Sequence, residues 1–176
     1  MDTQSGNNIL DTLIGRRATS GELGASPADV GGRIIAAGAH LLFPAVVLLA
    51  ALLSMLADAS GDRVAAFFWL SVLAFLVLVI LSRVAKPRFP TVSFHANQAH
   101  WWLLITFPLL AVAAIPGAAL TSATASDAAG FVLFLPLAAV VLAPSVIAAY
   151  RVFLGEGHRY PFIAANLEAG RRWREG

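Results

Sequence analysis

The 176-residue sequence contains no cysteine and few charged residues. Without thiols the chain has no disulfide bond, no thiolate metal site and no cysteine nucleophile. Charged residues make up only 12% of the sequence and apolar residues 59%, whereas soluble domains have about 25% and about 45–50%. A soluble fold of this length has too little interior to bury so much apolar surface. The composition therefore predicts a membrane protein.

Charge is missing altogether from four long stretches. Residues 34–57, 64–82, 89–126 and 128–150 contain no Asp, Glu, Lys or Arg. Because a helix needs about 20 apolar residues to cross a bilayer, each stretch predicts one membrane span. We place the spans at about 34–56, 64–81, 100–120 and 128–153, with polar turns at 57–63 and 121–127 and a mixed linker at 89–99. The predicted fold class is all-α, a four-helix transmembrane bundle over residues 26–163.

The segment before the bundle, residues 1–25, carries a small apolar cluster. Its members fall on one helical face: Ile9, Leu10, Leu13 and Ile14. Arg16 and Arg17 follow them, and the pattern predicts a short amphipathic helix lying on the membrane or on a neighbouring protein. The alternative is a frayed tail with a chance apolar cluster. No signal-peptide core is present in the first 33 residues, so we expect no cleaved leader.

Positive charges predict the orientation of the bundle. Eleven of the twelve Lys and Arg residues lie in the N-terminal segment, the second connection or the C-terminal segment, and only Arg63 lies opposite. Because the cytoplasmic side retains positive charge, we expect both termini in the cytoplasm. The tail, residues 164–176, is basic through Arg171, Arg172 and Arg174, which suits anionic lipid headgroups or an acidic partner. The net charge of +2 is explained by topology and predicts no nucleic-acid partner.

Several residues predict local features of the bundle. Ser26 precedes Pro27 and Asp29, a pattern that predicts a helix start with Ser26 as the N-cap. Prolines inside the spans predict kinks: Pro44, Pro108, Pro116, Pro136 and Pro144. Small residues predict close helix approach, and they include Gly38, Gly117 and Gly130. Trp101 and Trp102 predict aromatic anchors at the membrane boundary.

The uncharged spans also limit the possible chemistry. Proton-coupled carriers, voltage sensors and carboxylate active sites place ionisable residues at membrane depth. No paired carboxylates, Gly-x-Ser-x-Gly or His-Glu-x-x-His pattern occurs in the sequence. We therefore expect no enzyme activity, no catalytic residue and no metal site.

Histidine is the remaining candidate for chemistry within the apolar regions. His40 lies inside the first span, and His95 and His100 bracket the start of the third. His40 is expected to hydrogen-bond a backbone carbonyl of another helix. The alternative is that His40, His95 or His100 is an axial ligand to haem or a chlorophyll-type pigment, although no cofactor is expected otherwise. His95 and His100 are five residues apart, about 140° around a helix, and are poor partners for one metal.

Three motifs in order resemble a known family. They are Ala39-His40-Leu41, the stretch 94–99 (Phe-His-Ala-Asn-Gln-Ala), and the stretch 157–163 (Gly-His-Arg-Tyr-Pro-Phe-Ile). Together they resemble a widespread family of small bacterial membrane proteins of unknown function, which is similar in turn to the four-helix Tic subunit of the chloroplast protein-import translocon. The resemblance covers about residues 34–166 and departs at His100 and the two tryptophans after it. It implies a four-helix bundle in the bacterial cytoplasmic membrane and a supporting part in a larger complex, and no reaction.

The motifs also predict one cytoplasm-facing layer. Its expected structural or interaction residues are Phe94, His95, Asn97, Gln98, His158, Tyr160 and Pro161. We expect His95, Asn97 or Gln98 to hydrogen-bond the irregular backbone around 155–161 and so to fix the third helix against the end of the fourth. A working site would lie around 94–100 and 155–162, with His40 as an outlier at depth.

Three functions are compatible with these observations. The first is a non-catalytic accessory or scaffold subunit that packs against other integral membrane proteins in the lipid bilayer. The second is a cofactor- or pigment-binding subunit of a bioenergetic or photosynthetic complex. The third is a component of a transport or protein-translocation pathway, suggested by the proline-broken helices and the similarity to the translocon.

Overall fold

Four long helices make up most of the described chain. The computed structural model describes residues 16–17, 25–56, 60–124, 127–160, 162–164 and 166–167. The helices are α1 (Val30–Leu56), α2 (Ser60–Val84), α3 (Pro90–Thr124) and α4 (Asp127–Phe153). Two short antiparallel strands, β1 (Arg16–Arg17) and β2 (His158–Arg159), pair Arg16 with Arg159 and Arg17 with His158. The expected N-terminal amphipathic helix and most of the basic tail lie outside the described residues.

All four helices are long and apolar enough to cross a membrane. Because their connections are short, neighbouring helices run in opposite directions and pack side by side. The predicted number of spans is therefore matched by four packed apolar helices. All five prolines at which kinks were predicted lie inside helices that continue past them.

The helix boundaries correct the sequence prediction at α3. The stretch 89–99 was expected to be a linker, but α3 begins at Pro90 and runs for 35 residues. Pro90 suits a first helical position because it has no N–H to leave unpaired. Ser93, His95 and Gln98 are nevertheless buried, since they pack against other elements of the fold rather than facing water. At about 1.5 Å per residue, α3 is about 52 Å long and exceeds a hydrocarbon core of about 30 Å.

The start of α1 differs from the predicted cap. The carboxylate of Asp29, and not the Ser26 hydroxyl, accepts the Gly32 N–H at 2.5 Å. Ser26 instead donates to the carbonyl of Val152 at the end of α4, at 2.9 Å. The segment before α1 is therefore tied to the C-terminal end of α4.

An apolar core fills the space between the helices. Phe43 of α1, Leu78 of α2 and Leu103 of α3 are each buried, and smaller side chains such as Ala138 of α4 pack around them. Large apolar side chains are also exposed on the outer face of every helix, among them Leu48, Leu73, Val112 and Val140. Such outer faces are compatible with contact with a lipid bilayer.

Helices α3 and α4 approach closely at two glycines. A Cβ added at Gly117 would lie 2.9 Å from the Gly130 carbonyl oxygen, and one added at Gly130 would lie 2.8 Å from the Gly117 oxygen. The backbones therefore touch where no side chain intervenes, as the sequence predicted. The same prediction is wrong for Gly38, because nothing lies within 4 Å of a Cβ added there.

The two kinds of glycine predict opposite effects of alanine. Gly117→Ala should lower the free energy of unfolding by about 1–3 kcal/mol, because the new methyl group overpacks the α3–α4 contact. Gly38→Ala is the matched control and should raise it by up to about 1 kcal/mol, since alanine is the better helix former. Unfolding by added SDS in mixed detergent micelles, followed by tryptophan fluorescence, measures both. Equal effects of the two variants would contradict the close contact.

Candidate functional site

Three histidines and a tyrosine from separate elements meet at one end of the bundle. The ring centroid of His40 on α1 lies 5.4 Å from that of His95 on α3, 6.0 Å from His158 in β2 and 5.8 Å from Tyr160. All four side chains are at most 2% exposed. We call this group the histidine cluster. It contains His40, so the expectation that His40 is an outlier at depth is wrong.

His40 and His95 form a directional pair. His95 Nε2 lies 3.2 Å from the carbonyl oxygen of Ala25, and His95 Nδ1 lies 3.3 Å from His40 Nε2. A carbonyl only accepts, so in the neutral pair His95 donates from Nε2 and accepts at Nδ1. His40 must then donate from Nε2. His40 was expected to bond a backbone carbonyl, and its partner is instead the ring of His95.

Gln98 joins α3 to the chain after α4. Its Nε2 donates to the His158 carbonyl at 3.2 Å, and its Oε1 accepts the Tyr160 N–H at 2.9 Å. The side chain is fully buried, so both halves of the amide are paired inside the protein. We call these two bonds the amide clamp. The expected hydrogen bond to the backbone around 155–161 is present, and Gln98 makes it.

A turn at Gly155 leads the chain after α4 to the amide clamp. Gly155 follows α4 with φ of 85°, a left-handed conformation that side chains other than glycine rarely adopt. The Arg33 guanidinium lies beside Gly155, 3.0 Å from where a Cβ would stand. Arg33 also donates to the carbonyls of Pro27 and Ala28 at 3.0 and 3.1 Å. The sequence revealed only a helix start here, and the packing of this segment over α4 was missed.

Tyr160 is held on both sides. Its hydroxyl donates to the carbonyl of Pro144 on α4 at 3.2 Å, and its ring stacks on Trp102 with centroids 4.7 Å apart. Burial raises the pKa of Tyr160 well above its ordinary value, so the phenol remains a neutral donor. Trp102 therefore packs inside the bundle rather than serving only as an aromatic anchor at the membrane boundary.

His158 is kept neutral by its surroundings. Burial, with smaller electrostatic effects from Arg151 and His95, lowers the pKa of His158 to about 3. Neither of its ring nitrogens has a hydrogen-bond partner among the described residues. The ring is held by packing instead, with its centroid 4.7 Å from that of Tyr160.

The remaining predicted residues are divided between two places. Phe94 is buried beside His95, with ring centroids 6.1 Å apart. His100 lies away from the cluster, edge-on to Phe75 at 4.6 Å, as its five-residue spacing from His95 predicts. Asn97 lines a cavity together with His100. Pro161 lies outside the described residues.

The histidine cluster does not fit a haem or a chlorophyll-type pigment. An axial histidine must offer a free nitrogen lone pair and leave room for a macrocycle. His40 Nε2 and both nitrogens of His95 are engaged in hydrogen bonds. His40 Nδ1 and both nitrogens of His158 have no partner in the described part of the chain, but these rings are at most 2% exposed and pack against other rings at 5.4–6.0 Å, which leaves no room for a macrocycle. Within the described ranges, no group of three or more His, Cys, Asp or Glu could hold a metal ion. His100 also has a buried ring nitrogen, Nε2, without a partner among the residues that the structure describes, and this residue lines an open cavity.

Comparison with known proteins assigns no family. No family model, no curated protein and no solved structure matches the chain. The resemblance to the small bacterial membrane proteins stays a prediction, and function has to be argued from the geometry.

The amide clamp predicts a large effect of one substitution. Gln98→Leu should lower the free energy of unfolding by about 2–4 kcal/mol, because the His158 carbonyl and the Tyr160 N–H lose their buried partner. Asn97→Leu, the neighbouring amide on the same helix, should change it by less than about 0.5 kcal/mol. SDS unfolding in mixed micelles measures both. Similar losses in the two variants would show that the two hydrogen bonds of the amide clamp do not contribute specifically to stability.

The neutral state of His158 predicts acid sensitivity. The unfolded chain binds a proton at this histidine near its ordinary value of 6.5 and the folded chain only near 3. The contribution of this group to the free energy of unfolding is therefore fully present above about pH 6.5. Below that pH it decreases by about 1.4 kcal/mol for each unit by which the pH is lowered. His158→Phe keeps an aromatic ring and the backbone carbonyl but cannot bind the proton. The pH dependence of its free energy of unfolding should therefore be smaller by about 1.4 kcal/mol per pH unit. Unfolding measured from about pH 4.5 to about pH 7.5 tests this, and an unchanged slope would contradict it.

Proposed function

We propose that this chain is a non-catalytic, multi-pass protein of the bacterial cytoplasmic membrane, and that it serves as an accessory or scaffold subunit of a larger membrane complex. One observation carries the proposal: the buried polar side chains at one end of the bundle hydrogen-bond one another or the backbone inside the protein, while large apolar side chains face outward on all four helices. Such a molecule offers surfaces to lipid and to other membrane proteins.

The distribution of positive charge supports a cytoplasmic position for both termini. The end of the bundle that holds the histidine cluster also contains the start of α1, the α2–α3 connection and the end of α4. Arg33, Arg83, Lys86, Arg88 and Arg151 all lie near these points in the sequence. The side that retains Lys and Arg is the cytoplasmic one.

The internal contacts support a structural rather than a catalytic role. A general base or nucleophile must reach a substrate with a free lone pair. His40 Nε2 donates to His95, His95 Nε2 donates to the Ala25 carbonyl, and the Tyr160 hydroxyl donates to the Pro144 carbonyl. These bonds hold α1, α3 and the chain after α4 in one arrangement.

The closed interior favours a scaffold over a transport pathway. Buried apolar side chains from all four helices fill the centre, including Phe43, Leu78, Leu103 and Leu110. The outward faces are the part left for recognition, with Val132 and Val140 on α4 each 74% exposed. Other integral membrane proteins are the partners that such faces suit. The basic tail would add contacts with anionic headgroups.

Membrane placement is tested with reporter fusions. Alkaline phosphatase should be active when fused in the connections at 57–59 and 125–126 and inactive when fused at 85–89 or at the C-terminus. A fluorescent protein at the C-terminus should fluoresce, since it folds in the cytoplasm. The opposite pattern would overturn the proposed orientation.

The scaffold role is tested on the same tagged chain. Purification from native membranes in mild detergent should recover a second integral membrane protein at a fixed ratio, detected by mass spectrometry, with no visible absorption band. A lone monomer would contradict the proposal. A haem or pigment band that disappears in His100→Phe would favour the cofactor function, and conductance in reconstituted vesicles would favour transport.

A further inference from the structure

A cavity of about 490 Å³ opens beside the α2–α3 connection, away from the histidine cluster. The last turns of α2 and the first turns of α3 form its walls, and Leu167 from the chain after α4 completes it. The side chains that matter for recognition are Arg83, Lys86, Phe94, Asn97, His100 and Trp101. We call it the basic cavity. Its size falls in the range of ligand pockets, about 300–1,000 Å³.

The lining of the basic cavity is positively charged. Arg83 and Lys86 contribute two cations, and none of the lining residues is acidic. Neither cation has an ion-pair partner within the part of the chain that the structure describes. The Nε2 of His100 is buried there without a hydrogen-bond partner. Arg83 and Lys86 are exposed, and two such cations with no acidic neighbour in the lining favour an anionic ligand with several acceptor oxygens. In its Nε2–H tautomer His100 would donate to the same ligand.

The walls of the basic cavity are held in place independently of any ligand. The Ser93 hydroxyl donates to the Ser82 carbonyl at 2.6 Å and thereby joins α3 to α2. The Ser82 hydroxyl donates to the Val79 carbonyl at 2.8 Å. Both hydroxyls are thus occupied by protein acceptors, which leaves the charged and imidazole groups for recognition.

Polarity changes along the basic cavity. Lys86 and Pro90 lie where α2 and α3 meet their connection, whereas Val79 and Trp101 lie deeper along the helices. From Pro90 to Trp101 the helix rises about 16 Å. One end of the cavity is therefore cationic and the other apolar and aromatic. A small free anion would use only the first end, whereas an amphiphile would use both.

We propose that the basic cavity binds the phosphate headgroup of an anionic membrane phospholipid, with Arg83 and Lys86 on the phosphate and Trp101 beside the glycerol and first acyl carbons. Bound in this way, the headgroup supplies the negative charge that the lining lacks. The acyl chains leave along the exposed apolar faces of α2 and α3. Its two cations, Arg83 and Lys86, lie at the α2–α3 connection and are not the arginines of the basic tail. It rests on the membrane placement proposed above and not on the scaffold role.

The test is native mass spectrometry of the full chain in detergent with added phosphatidylglycerol, phosphatidylcholine or inorganic phosphate. Phosphatidylglycerol should remain bound and the other two should not. Because each cation near an anionic headgroup is worth about fivefold in affinity, Arg83→Gln with Lys86→Gln should weaken binding about 30-fold. Arg88→Gln is the matched control: it removes an exposed arginine of the same connection that does not line the cavity, and it should change binding less than about twofold.

Each outcome decides the proposal. Equal retention of phosphatidylcholine, equal loss in Arg88→Gln, or binding of inorganic phosphate without phospholipid would overturn it. If the double variant does not purify in a folded state, two single variants of Lys86 are compared. Lys86→Gln should weaken phosphatidylglycerol binding and Lys86→Arg should not, since only arginine keeps the positive charge. The reporter fusions test membrane placement separately, so failure there is distinguishable from failure of the lipid site.

Discussion

The buried amide of Gln98 is the interaction on which the organised end of the bundle depends. Backbone that leaves a helix and turns back into a protein must find partners for its N–H and C=O groups. Gln98 offers both a donor and an acceptor, and it pairs the His158 carbonyl and the Tyr160 N–H. With the chain fixed there, His158 and Tyr160 lie against His40, and Trp102 stacks on Tyr160. One side chain of α3 thus fixes the segment after α4, and His40 of α1 and Pro144 of α4 contact that segment in turn.

The bundle places polar and apolar groups in an arrangement opposite to that of a soluble domain. At one end its buried side chains are imidazoles, an amide and a phenol, while its outer surface is lined with Leu, Val, Ile and Phe. In an apolar solvent an unpaired polar group is costly, and pairing such groups inside the protein removes that cost. The same pairing fixes the tautomers of His40 and His95.

The polar stretch at the start of α3 faces both the interior of the bundle and the basic cavity. His95 and Gln98 point into the bundle, whereas Asn97 and His100 line the basic cavity. A helix turns about 100° per residue, so residues one or five apart face different neighbours. The interior face joins the elements of the fold. The outer face meets two cations at the end of α2, and the proposed lipid site follows from that contrast.

Composition and charge alone determined the helical class and the four apolar segments, because hydropathy and helical spacing are properties of local sequence. The motifs predicted that His95, Asn97 or Gln98 would bond the backbone around 155–161, and the structure shows that Gln98 does so. Tertiary structure decided the rest. Pro90–Ala99 is helical because its polar side chains find buried partners on other elements, which local polarity could not reveal. His40 meets His95 only because α1 and α3 are offset along their axes, and Gly38 is open while Gly117 is tight because helix faces are assigned by packing. Distances between helices depend on how four long segments lie against one another, and no short stretch of sequence contains that information.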